Sequence, residues 1–131
     1  MKTVATLALL AILAACGSSS EDEPAKPKLS AEKAAEQTCT EVNAGIEEFN
    51  QGDYAGTVTH FEKAKITAKV YAMVSDEPEA DALLDAVQYY ANLDPADYPE
   101  AARSSENFAR NKAITLNQCA DADDGTDGQK V

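Results

Sequence analysis

Three cysteines and one histidine are the side chains of this chain whose chemistry could be specific, because thiolate and imidazole carry most nucleophilic, redox and metal-binding work near neutral pH. Their spacing removes most of those options. His60 is the only histidine and has Lys63 one turn further on, so it lacks the second ligand or oriented base that a zinc site or an activated nucleophile requires. It reads as a solvated helix residue. Cys16, Cys39 and Cys119 form no Cys-x-x-Cys, which argues against a dithiol redox role. No Gly-x-Ser-x-Gly elbow, His-Glu metal motif or phosphate-cradling glycine loop occurs. No catalytic residue, metal ligand or cofactor is therefore assigned, and the chain is expected not to be an enzyme. The aspartates between 121 and 128 alternate like calcium ligands, but counting Asp123 as position one puts Gly125 where a ligand belongs, and no bidentate glutamate follows.

What the cysteines can do depends on the compartment. Met1 and Lys2 precede an apolar stretch from Val4 to Ala15, and Gly17 to Ser20 and the acidic Glu21 to Glu23 follow at once. A transmembrane helix needs about 20 apolar residues, so this segment is too short to span and reads as an export signal. Leu13-Ala14-Ala15-Cys16 resembles the bacterial lipobox. The resemblance implies a bacterial lipoprotein with a signal peptide over 1–15, removed so that Cys16 carries a diacylglyceryl group on its sulfur and holds the protein to the lipid bilayer. The alternative is an ordinary secretory signal cleaved near Ala15, leaving Cys16 as a thiol. One acyl chain binds a membrane only marginally, whereas two hold a protein durably. The expected location is the cell envelope, on the outer face of the cytoplasmic membrane.

With Cys16 on lipid, Cys39 and Cys119 remain as an even pair in an oxidising compartment, and a disulfide is expected. Two buried free thiols are the alternative. The formal charge is -12, and loss of Lys2 with the signal takes it to about -13. Nucleic acid is excluded as a partner, since that role needs clustered Lys and Arg. The charge is expected to keep a tethered domain soluble and off the membrane.

The elements that must position these residues are helical. Residues 16–29, rich in serine, acid and proline, read as the lipidated cysteine and a linker reaching roughly 40 Å if fully extended. Residues 121–131 read as an acidic tail, which leaves a helical domain over 30–120. Its first helix is capped by Ser30 and shows a stripe of Ala35, Cys39, Val42, Ile46 and Phe49, ending at Gly52. Asp53 caps a second helix running to about Ser75, with Tyr54, Val58, Phe61, Ala64, Ala68 and Ala72 on one face and Ile66, Val70 and Met73 widening it. Asp76 to Pro78 opens a third, with Ala80, Leu83, Leu84, Val87 and Tyr90 facing inward. After a break from Asn92 to Pro95, a fourth helix from Asp97 carries Ala102, Ser105, Phe108, Ala109, Ala113, Leu116 and Cys119. The fold class is all-α: a small four-helix bundle or a bundle-like pair of helical hairpins with one disulfide. Cys39 lies nine residues inside the first helix, roughly 13 Å from its start, so the disulfide requires staggered helices or a packing other than a flush bundle.

Gly52-Asp53-Tyr54, followed by Phe61 and Ala64, resembles the turn and second helix of a tetratricopeptide repeat, with Thr57 where that family has alanine. The likeness covers half a repeat, and no further copy follows at the family's period. It implies a helical hairpin packed through Tyr54, Phe61 and Ala64. Five tyrosines against three phenylalanines allow either rim packing or a groove for ligand. The expected role is an interaction or structural module anchored at the envelope, with an unknown envelope protein or ligand as partner. The alternatives are a domain binding a small molecule, peptide or glycan and, less favoured, an envelope enzyme.

Overall fold

The computed structural model describes residues 29–120. Cys16, the expected signal peptide over 1–15, the expected linker up to residue 28 and the expected acidic tail over 121–131 lie outside the described residues. Five α-helices account for almost all of the described chain, and no strand occurs among the described residues.

Helix α1 spans Ala31–Asn50, with the Ser30 side chain accepting from Lys33 N and Glu32 in the first turn, as its cap position requires. Gly52, at φ 84°, makes the left-handed turn into α2, Tyr54–Val74, which Asp53 caps through Gly56 N at 2.8 Å. Helix α3, Pro78–Asn92, begins with its proline in the first turn. A short 3₁₀ turn, Pro95–Asp97, leads into α4, Tyr98–Ser104, and α5, Glu106–Cys119.

The expected fourth helix is thus two helices. Ser105 leaves the helical region at φ -91°, ψ 123°, and its hydroxyl caps α5 at Phe108 N, 3.1 Å away, while Ser104 Oγ turns back to the Glu100 carbonyl. The register of α5 also differs from expectation. Phe108, Asn111, Thr115 and Cys119 are buried, whereas Ala102, Ala109 and Ala113 are exposed.

Helix α1 packs chiefly on α2, α2 on α3, and α3 on α5, with α5 closing against α1. The core comprises Cys39, Val42, Phe61, Ala64, Leu83, Val87, Tyr90, Tyr98, Phe108 and Cys119, flanked by half-buried Ile46, Phe49 and Val58. Leu116 is half-buried as well, so these four expected core residues sit at the rim rather than the centre. Thr38, Thr57, Asn111 and Thr115 join the core because each returns its polar group to its own helix: to the carbonyls of Ala34, Asp53, Asn107 and Lys112 respectively. A threonine satisfied this way fills space much as valine does.

Cys39 and Cys119 are joined by a disulfide. The bond resolves the stagger: α5 ends level with Cys39, and the first two turns of α1 run past it. They are not bare, because Ala34 and Thr38 are fully buried and the hydroxyls of Thr38 and Thr67 lie 2.8 Å apart across α1 and α2. The lower end of the α1–α2 hairpin therefore projects beyond the foot of α5.

Candidate functional site

Seven aromatic rings gather at the opposite end, where α1 turns into α2 and α3 leads to α4. Phe61 sits 4.9 Å from Tyr90 between ring centroids, Tyr90 is edge-on to Phe108 at 5.0 Å, and Phe49 touches Tyr54, Tyr98 and Phe108 within 6.1 Å. Tyr89 completes the set, edge-on to Tyr90. These offsets and tilts are the arrangements that ring quadrupoles favour.

The phenols are committed inward. Tyr98 Oη donates to the Tyr90 carbonyl at 2.6 Å, adding to the 3.3 Å bond that this C-terminal carbonyl of α3 accepts from Leu93 N–H. Tyr90 Oη in turn donates to the Phe108 carbonyl at 2.7 Å. Two hydroxyls thereby tie α4 to α3 and α3 to α5. Burial, and then the neighbouring phenols, push the ionisation of Tyr90 far above the ordinary tyrosine range; burial, and then Tyr89, do the same for Tyr98. Both remain hydrogen-bond donors at physiological pH.

Between these rings lies a partly open cavity of about 50 Å³, lined mainly by Ile46, Phe49, Phe61, Tyr90, Phe108 and Leu116. Ligand pockets are generally ~300–1,000 Å³. The space suits one small apolar group, and the Thr57 and Thr115 hydroxyls on its wall are already bonded to their own helices. Tyr90 lines this cavity; Tyr71 and Met73 lie elsewhere. Tyr54, Tyr89, Tyr90 and Tyr98 stand among packed rings.

His60 has a partner that the sequence pattern concealed: its Nδ1 lies 2.7 Å from Glu41 Oε2 across α1 and α2, both side chains being partly buried. No third side chain among the described residues hydrogen-bonds to the pair. Among the described residues no cluster of His, Cys, Asp and Glu could hold a metal ion.

The residues carrying the tetratricopeptide-like pattern come together in the α1–α2 hairpin. Phe61 is 3 % exposed and Ala64 fully buried, and Phe61 packs against Gly45, where an added Cβ would lie 2.9 Å from its ring. Gly45 was not singled out by pattern, because a glycine within a helix carries no apolar signal.

Helix α2 departs from expectation on its outer side. Ile66 and Met73, expected to widen the packing stripe, are 66 % and 69 % exposed, and Val74 is exposed at the helix end. These are the exposed large hydrophobics of the described residues. A shallow, solvent-open depression of about 350 Å³ beside Ile66 is bordered by Gln37, Thr40, Glu41, Lys63 and Thr67. No helix among the described residues is long and apolar enough to cross a membrane. No protein-family model, curated protein or solved structure matches the chain.

Proposed function

We propose that this protein is an envelope lipoprotein, held by an acylated Cys16, whose helical domain serves as an interaction or structural module. The observation that carries the reading is Leu13-Ala14-Ala15-Cys16 at the end of an apolar segment too short to span a bilayer. The Cys39–Cys119 disulfide supports it, since such bonds persist where an exported protein is oxidised. The tetratricopeptide-like hairpin, with Phe61 and Ala64 packed in the core, supports a helical module. Ligand binding is the weaker alternative, with a cavity of about 50 Å³, well below the size of most ligand pockets.

Mass analysis of the N-terminal peptide from membranes tests the anchor. The expected product starts at Cys16 and carries a diacylglyceryl thioether. In a Cys16→Ser variant the precursor stays uncleaved or the protein is released. An unmodified Cys16, or unaltered processing and membrane fractionation in that variant, would refute the proposal.

A further inference from the structure

The domain is strongly polarised in charge. Between residues 29 and 120 there are sixteen acidic side chains and seven basic ones, yet α2 holds three of the basic residues, Lys63, Lys65 and Lys69, and only one acid, Glu62. Among the described residues, none of these lysines is paired with a carboxylate; the ion pairs present are Lys33–Glu36, His60–Glu41 and Arg103–Glu100. The same helix bears Ile66 and Met73, seven residues apart and so on one face, with half-buried Val70 between them. An apolar ridge flanked by cations thus stands on the exposed outer side of α2 in an otherwise acidic domain.

Its position in the fold says what it meets. Thr38 on α1 and Thr67 on α2 mark one level of the hairpin. Ser30 lies eight residues below Thr38 and Met73 six below Thr67, distances of roughly 12 and 9 Å at the helical rise. The chain leading back to Cys16 therefore joins the domain at the end where Met73 is exposed, on the segment that projects past the foot of α5. Thirteen residues separate Cys16 from Ser30, a reach of at most roughly 45 Å. Tethering at that distance makes contact with the bilayer an intramolecular event, so a modest patch suffices.

We infer that the outer face of α2, with Ile66 and Met73 between Lys63, Lys65 and Lys69, rests on the surface of an anionic phospholipid bilayer. The lysines meet headgroup phosphates while Ile66 and Met73 enter the interface, and the acidic remainder of the domain turns away from the surface. The expected stand-off of the domain from an anionic leaflet holds for its net charge but not for this face. An acidic protein would satisfy the lysines too, but the bilayer is favoured because the depression beside Ile66 is shallow and open, carries Glu41 on its wall, and the ridge lies beside the tether. The inference rests on the anchor reading for its proximity argument.

Met73 provides the readout, being the one methionine besides Met1. The full lipidated protein is reconstituted into phosphatidylcholine vesicles with and without phosphatidylglycerol, and Met73 oxidation by dilute peroxide is followed by mass. Oxidation should be several-fold slower on the anionic vesicles than on neutral vesicles or in detergent. About 0.5 M salt should remove the difference by screening, and so should the K63E/K65E/K69E variant, with helicity by circular dichroism showing that the variant is folded. Equal rates on all surfaces would overturn the inference, as would protection in intact envelopes but not on vesicles, which would point to a protein partner. Acyl mass at Cys16 is scored separately. Acylation without protection defeats only the docking face, whereas protection by added anionic vesicles without acylation supports the face and defeats the anchor.

Discussion

Gly45 and Phe61 meet in close contact across α1 and α2, and their coupling can be measured. Phe61 is 3 % exposed and packs on Tyr90, so replacing it with alanine should cost about 3–5 kcal/mol. The lower part of that range is favoured, because the ring already borders the 50 Å³ cavity and has incomplete contact on that side. A domain of this size has roughly 5–14 kcal/mol in total, so the variant should remain foldable but weakened. Gly45→Ala places a Cβ 2.9 Å from Cε2 and about 3.0 Å from Cδ2 of the ring, both inside contact distance. Overpacking of this kind costs about 1–3 kcal/mol. In the Phe61→Ala background the obstruction is gone, and the same substitution should instead stabilise by up to about 1 kcal/mol through the better helix propensity of alanine. Urea unfolding of the four proteins, read as midpoint shifts at constant m, gives the cycle. A Phe61→Ala loss below about 1 kcal/mol would show that the ring is not the keystone of this interface. Equal effects of Gly45→Ala in both backgrounds would show that the glycine serves no close approach.

The disulfide closes a loop with a sequence separation of 80, for which chain entropy gives an upper figure of about 4–5 kcal/mol. The Cys39→Ser/Cys119→Ser variant should lose stability up to that limit, and non-reducing mass analysis of the exported protein should show two fewer hydrogens than the reduced form; two titratable thiols in freshly isolated, unfolded protein would refute the bond. Tyr90 and Tyr98 have folded-state ionisations above the ordinary value of 10.0, so their contribution to stability is complete below that pH and declines as pH rises above it. Alkaline titration should therefore show their phenolate absorbance appearing only together with loss of helicity, and should be refuted by their ionisation in protein that remains fully helical.

The helices that carry strong end signals were legible in the sequence. Ser30, Asp53 and Pro78 each mark a start, and Gly52 marks a turn, by local geometry that tertiary packing does not override. The break at Ser105 had its own signal, a serine before Glu106, but an apolar spacing that continues across it suggested one helix. Register failed where polar residues pack. Thr38, Thr57, Asn111 and Thr115 are buried because their hydrogen bonds close within one turn, which a pattern of apolar residues alone does not register. The disulfide followed from the parity of the cysteines. The aromatic cluster did not, because Tyr98 reaches Tyr90 and Phe108 only once three connections have folded the chain back, and neither did the outward turn of Ile66 and Met73, since α2 has apolar residues on both sides.

The disulfide also divides the domain mechanically. Toward the turn between α1 and α2, α1 is held by aromatic packing and by α5; on the other side of Cys39 it is held to α2 by small residues, Ala34 on α1 and Ala68 on α2, and by the Thr38–Thr67 contact. Force or fluctuation applied on the N-terminal side of the domain would enter at Ser30, the weaker end. Local opening there exposes little apolar surface and stays within the low-energy range expected of segments with few large buried side chains. At Cys39 the covalent link to α5 shares the load with α3 through the Gln118 side chain, which donates to the Glu79 carbonyl at 2.9 Å. A domain arranged in this order can yield at its Ser30 end while the aromatic core stays closed.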